Sequence, residues 1–184
     1  MKQIALLRGI NVGGNNKISM AELKAAFERQ GFQNVRSYIN SGNIIFDSDI
    51  VDGTTLQTAC EELILTEFGL TIPVCVISAA ELREALAHAP PWWNQASDTR
   101  HDAFFVLPPM TAAELCAHVG AVKEEYEQVN FHGRLIFWSA PMVSFSRTRW
   151  AKLSKDKAMY RSITVRNANT ALKLVELAGE GDSP

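Results

Sequence analysis

Two stretches of this 184-residue chain carry residue types and spacings that can do chemistry. The first is LLRGINVGGNNKIS, residues 6–19. An apolar run ends in Arg8, and then Gly9, Gly13 and Gly14 are interspersed with Asn11, Asn15 and Asn16 before Ser19 opens a helix. Unpaired backbone N–H groups beside a helix start, with amide side chains around them, make a surface that accepts an anion. Arg8 adds a guanidinium able to hold a phosphate or carboxylate through two hydrogen bonds. The same residue types are also what any turn with positive φ requires, so a purely structural turn stands beside the ligand loop as a reading. The standard phosphate patterns do not fit: counted from Gly9, a Walker A loop needs a lysine where Asn15 stands, and no GxGxxG occurs.

The second stretch is SFSRTRWAKLSKDKAMYRSITVR, residues 144–166, with Arg147, Arg149, Lys152, Lys155, Lys157, Arg161 and Arg166 against one acid, Asp156. In a chain of net charge −2 this is a marked local excess. Arg147, Arg149 and Lys152 form its candidate basic patch for a polyanion, with Trp150 and Tyr160 interleaved. The alternative is a solvated helical face whose Trp150 shares a side with Leu153 and belongs to the core.

Other chemistry is weaker. His88, His101, His118 and His132 are scattered, so no metal set is read from them. No GxSxG occurs, no cysteine has a base at a readable spacing, and no catalytic residue is assigned; Ser41 and Tyr38 are the most that offers itself. Glu124, Glu125 and Glu127 read as a solvent-facing run, and Trp92-Trp93 as a wedge between the two halves of the chain.

The elements that position these residues follow from periodicity and caps. Ser or Thr followed three residues later by Glu or Gln marks helix starts at Ser19/Glu22, Thr54/Gln57, Ser78/Glu81 and Thr111/Glu114. A further helical stretch is expected over about 146–160 and a last helix over about 169–178. Strands are expected at 2–8, 34–39, 43–47, 72–77, 102–107, 125–131, 134–139 and 162–166. The order β-α-β-β-α-β therefore occurs twice, without similarity of letters. The expected fold is α+β: two ferredoxin-like (split βαβ) subdomains in tandem, with antiparallel sheets flanked by helices. The expected bounds are 1–77, a connecting helix and linker at 78–100, and 101–184. In this arrangement strand three runs between and against strands one and two. The glycine loop must then share one sheet end with the 40–43 turn. The candidate ligand-binding set is accordingly Arg8, Asn11, Gly13, Gly14, Asn15, Asn40, Ser41 and Asn43.

Composition excludes several classes. With 47% hydrophobic and 21% charged residues the chain is ordinary globular protein. Nothing approaches the ~18 apolar residues needed to span a bilayer, and the N-terminus has no signal-peptide pattern. Three cysteines without CxxC spacing, each in an apolar-periodic segment, suit buried thiols in a cytoplasmic protein.

The stretches RGINVGGNNKISMAELKAAFERQGFQNVRSYINSGNIIF, PWWNQASDTRHDAFFV, FWSAP, SRTRWAKL and ITVRNANTALKLVEL resemble the blocks of the bacterial domain-of-unknown-function family 1697. The resemblance covers nearly the whole chain. It implies a small two-part α+β protein and carries no established reaction, cofactor or catalytic residue.

Three functional classes follow. The first is a binding protein for an anionic ligand (a nucleotide, a phosphorylated metabolite or nucleic acid) at the glycine loop. The second is an enzyme acting on a small phosphorylated or acyl substrate. The third is a structural or assembly protein that works through a sheet edge or apolar patch. No cofactor, metal or membrane is called for, and the oligomeric state is left open.

Overall fold

The computed structural model describes residues 1–179. The chain divides into two compact units, Met1–Leu82 together with the chain from Leu174, and Arg83–Lys173. The first unit therefore reaches past residue 77 to take in the start of the helix that follows, and it also claims the end of the last helix.

The first unit runs β1 (Lys2–Leu7), α1 (Met20–Arg29), β2 (Gln33–Tyr38), β3 (Asn43–Asp47), α2 (Gly53–Phe68) and β4 (Val74–Ser78), after which α3 (Ala79–Ala87) begins. Its four strands form one antiparallel sheet in the order β2-β3-β1-β4. Alternation decides which side chains meet the helices. Ala5, Leu7, Ile44, Phe46, Val74 and Val76 pack with Leu23 and Phe27 of α1 and Leu56, Cys60, Leu63 and Ile64 of α2. Phe27, Phe32 and Phe46 form an aromatic group with centroids 4.7–5.5 Å apart. The other face of the sheet is buried as well: Ile4, Leu6, Ile45, Cys75 and Ile77 are all at most 2% exposed.

Ser19 caps α1 by accepting from Glu22 N, and Ser78 Oγ accepts from Glu81 N at the start of α3. The cap of α2 is not the expected Thr54/Gln57 pair. Asp52 takes that place, accepting from Thr55 N at 2.7 Å. An aspartate two residues upstream offers a charged acceptor to the same free amides. Gly69 closes α2 in the left-handed conformation.

The second unit contains β5 (Thr99–Val106), α4 (Ala112–Val119), β6 (Gln128–His132), β7 (Leu135–Pro141) and β8 (Ile163–Asn167). These strands form a second antiparallel sheet in the order β6-β7-β5-β8. Thr111 and Glu114 form the expected reciprocal cap of α4. The helical stretch expected at 146–160 is not one helix. It is two 3₁₀ segments, Met142–Arg147 and Trp150–Lys155, and a short α5 (Lys157–Arg161). Thr148 and Asp156 interrupt it by taking extended conformations. The last helix, α6, spans Ala168–Gly179.

Three of the four edge strands have a main-chain group engaged by a side chain, and the fourth is bulged. On β2, a bulge falls where Asn34 has φ of 51°. On β4, Val74 N–H donates to Glu61 Oε1. On β6, Phe131 N–H donates to Asn130 Oδ1, and on β8 the carbonyl of Val165 accepts from Arg166.

Candidate functional site

The glycine loop leaves β1 at its C-terminal end and delivers the chain to Ser19. It is wound by positive φ at Gly9, Asn11, Gly13, Gly14 and Asn16. Asn11 holds it together: its side-chain Oδ1 accepts from Ile18 N, and its Nδ2 donates to Ile18 O and Asn40 O, each at 2.9 Å. Asn16 Nδ2 donates to Gly9 O, and the main chain closes through Asn11 N to Asn16 O and Asn15 N to Val12 O.

The 40–43 turn sits against this loop, as Asn11–Asn40 and the bond from Leu7 N to Gly42 O show. Gly42 is required there. A Cβ at this position would lie 2.7 Å from Ile10 Cδ1 and 2.8 Å from Leu7 Cβ. Asn43 is fully buried and donates to Tyr38 O and Ser41 Oγ. Ile39 enters the turn at φ of 49°, a costly conformation for a β-branched side chain, and remains 48% exposed.

Loop and turn together border an open cleft of about 560 Å³, lined by Asn11, Gly14, Lys17, Ile18, Ser19, Met20 and Asn40. Of the eight residues expected at a ligand, Asn11, Gly14 and Asn40 line this cleft, and Gly13 and Asn15 are exposed on the same loop. Arg8, at the end of β1, is half-buried, is not part of that lining, and gives its backbone N–H to Pro73 O. Ser41 and Asn43 bond to each other inside the turn. The side-chain amides of Asn11 and Asn43 are thus spent on holding the site in shape. Lys17 was missed as a lining cation. Its place immediately before the Ile18-Ser19 helix entry was the available signal.

The basic segment lies in the second unit. Arg147, Arg149 and Lys152 are exposed, and Arg147 stands 5.6 Å from the Tyr126 ring centroid. Trp150 is core, 3% exposed and edge-on to Phe104. Glu127 is not the solvent-facing residue expected. It is 2% exposed, and its carboxylate accepts from Trp138 Nε1 at 3.0 Å, Arg149 N at 2.8 Å and Trp150 N at 3.2 Å. With Lys123 N at 3.5 Å, four donors on one buried carboxylate replace the water it has lost. Trp93 packs edge-on to Phe137 and donates to Asp102 O, all within the second unit.

The groups that resemble nucleophiles are poorly placed for that work. His101 Nδ1 and Ser139 Oγ are 2.5 Å apart across β5 and β7, but Ser139 is 2% exposed and His101 Nε2 is taken by Ala96 O. Burial pushes the Cys60 thiol up to about 12, helped by the charge of Glu61, and burial alone pushes Cys116 up to about 11. Neither supplies a thiolate at neutral pH. Among the described residues no group of three or more His, Cys, Asp or Glu is placed to hold a metal ion. No described helix is long and apolar enough to cross a membrane.

Two four-stranded antiparallel sheets flanked by helices, carried by two compact units of one short chain, define a mixed α/β protein with a polar cleft at one sheet end. The chain belongs to the family described as Protein of unknown function (DUF1697), whose model matches residues 1–137. Among solved structures it is similar to the conserved bacterial protein SP0830 from Streptococcus pneumoniae. That match has 31% identity and a TM-score of 0.82 over 96% of this chain and 98% of the other. A crystal structure of an unknown protein from Galdieria sulphuraria matches at 13% identity and a TM-score of 0.26 over 90% and 95% of the two chains. No curated protein matches.

Proposed function

We propose that this protein binds a small anionic ligand, a nucleotide or phosphorylated metabolite, in the cleft of its first unit. Each unit is read as a ferredoxin-like subdomain, a reading supported by the strand orders β2-β3-β1-β4 and β6-β7-β5-β8. The observation that carries the functional reading is the cleft itself. Lys17 lines it together with Gly14 and the capped start of α1. Lysine serves as a point charge for phosphate, and glycine-rich backbone at a helix start adds N–H donors. The site is preorganised, because Asn11 spends its side chain on the loop rather than on the ligand.

The test is a thermal-shift screen of nucleotides and phosphorylated metabolites, followed by calorimetry on wild type, Lys17→Ala and Arg8→Ala. A hit should lose about tenfold or more in affinity in Lys17→Ala, while the melting temperature without ligand stays put. Hits that bind both variants as tightly as wild type would move the site elsewhere. A screen without hits would remove the reading.

A further inference from the structure

The connection between β7 and β8 is the most cationic part of the chain, and the structure keeps it from being a loose tail. Arg147, Arg149, Lys152, Lys155, Lys157 and Arg161 are all exposed. Asp156, the acid among them, is already occupied: it accepts from Met159 N at the start of α5 and pairs with His118 at 2.9 Å. The backbone beneath these cations is anchored. Glu127 accepts from the consecutive amides of Arg149 and Trp150, Thr148 Oγ1 accepts from Ala151 N, and Trp150 and Leu153 are buried in the core of the second unit. Lys123 Nζ reaches Arg147 O at 3.5 Å and adds a seventh cation. The neighbouring acids in sequence are Glu124, Glu125 and the buried Glu127, so with Asp156 the balance is seven cations to four acids.

We propose that this segment of the second unit binds nucleic acid through its phosphate backbone, without reading base sequence. The proposal does not rest on the cleft of the first unit. Charge complementarity selects a polyanion: several exposed cations on one anchored stretch of backbone gain from contacting successive phosphates. The rings here are engaged within the protein, Tyr160 by packing against the core of the second unit, which disfavours base recognition by stacking. Trp150 is 3% exposed, Phe145 lies under the guanidinium of Arg100 at 4.9 Å, and Tyr126 under that of Arg147. A membrane surface is disfavoured because the apolar side of the segment is spent on the core. The exposed apolar residues at its start are Met142 and Val143, too few for the continuous face that interfacial docking uses.

The test is fluorescence anisotropy of labelled single strands of about 20 nucleotides, in several sequences, with the full chain. Titrations run from roughly 50 to 200 mM salt. Four to six phosphate contacts on a single strand predict a slope of log K against log salt of about −3 to −4, the same for every sequence. The triple variant Arg147→Gln, Lys152→Gln, Lys155→Gln should flatten that slope by about 2 and weaken binding at low salt at least tenfold. Lys24→Gln, in the first unit, should change neither. Circular dichroism verifies that the triple variant is folded. Any small ligand found for the cleft should bind the triple variant as it binds wild type, so the two proposals fail separately. A triple variant that binds like wild type overturns the proposal. So does strong dependence on base sequence, or binding to anionic vesicles without binding to nucleic acid.

Discussion

The side-chain amide of Asn11 donates to the carbonyl of Asn40, 29 residues further along the chain, at 2.9 Å. That single bond ties the glycine loop to the turn between β2 and β3. Asn11→Ala removes it together with both bonds to Ile18, and places alanine at φ of 53°. The expected loss is about 2–3 kcal/mol in urea denaturation, combining lost hydrogen bonds with left-handed strain. The loop should also become susceptible to proteolysis between Gly9 and Lys17 in the folded state. A variant as stable and protected as wild type would show that the loop holds its shape without Asn11.

Gly42 and Gly14 make a controlled pair. Both have positive φ, 76° and 81°, but only Gly42 has neighbours that a Cβ would strike. Gly14→Ala should cost about 1 kcal/mol, the conformational term alone. Gly42→Ala should cost about 3 kcal/mol or more, because Ile10 and Leu7 must also shift. Equal losses for the two variants would mean the turn can back away from Ile10 at no cost.

Glu127 holds the cationic segment from below. Glu127→Ala strands the N–H groups of Arg149 and Trp150 and the Trp138 indole, and should destabilise by about 3–5 kcal/mol. Glu127→Gln keeps one acceptor oxygen and should lose about half as much. Hydrogen exchange at the Arg149 and Trp150 amides should accelerate in both. If Glu127→Ala is nearly neutral, these donors are being satisfied by solvent.

Stability should respond to acid in two opposing ways. Asp52 and Glu114 lie below their ordinary values, each chiefly because a threonine side chain bonds the carboxylate. Asp156 is lowered chiefly by Met159 N and then by His118. Their contributions are present above the ordinary range of 3.8–4.5 and are lost as pH falls through the folded values. Asp102 runs the other way. Burial raises it despite the pull of Arg100, so its contribution is present below 3.8 and is lost as pH rises through its folded value. Denaturation curves at several pH values should show Glu114→Gln with a shallower acid limb. Asp102→Asn should remove a decline that wild type shows on the way up from acid pH. Parallel wild-type and variant profiles would remove these assignments.

Most of the architecture could be read from the letters because several local rules agreed. Ser19, Ser78 and Thr111 sit ahead of apolar residues at helical spacing, and the strands carry branched and aromatic residues bounded by turn residues. That loop and turn share one sheet end followed from strand order alone. What escaped was decided by tertiary partners. Asp52 and Thr54 are both residues that cap helices, and only the folded backbone decides that Asp52 takes the amides of α2. Glu127 reads as one more acid in a charged run, because its reason for burial lies 22 residues away at Arg149 and 11 away at Trp138. Asn11 and Asn43 were legible as polar residues at a turn. Whether their amides faced a ligand or the chain itself depended on Ile18, Asn40 and Tyr38, whose carbonyls have no signature in sequence.

The stoppered margins of the two sheets carry a further consequence. A strand arriving from another molecule would find a kink at Asn34, hydrogens at Val74 and Phe131 already committed, and the oxygen of Val165 occupied. At each of these points an added strand loses one main-chain partner, which handicaps edge-to-edge growth there and leaves side-chain surfaces as the easier route to association.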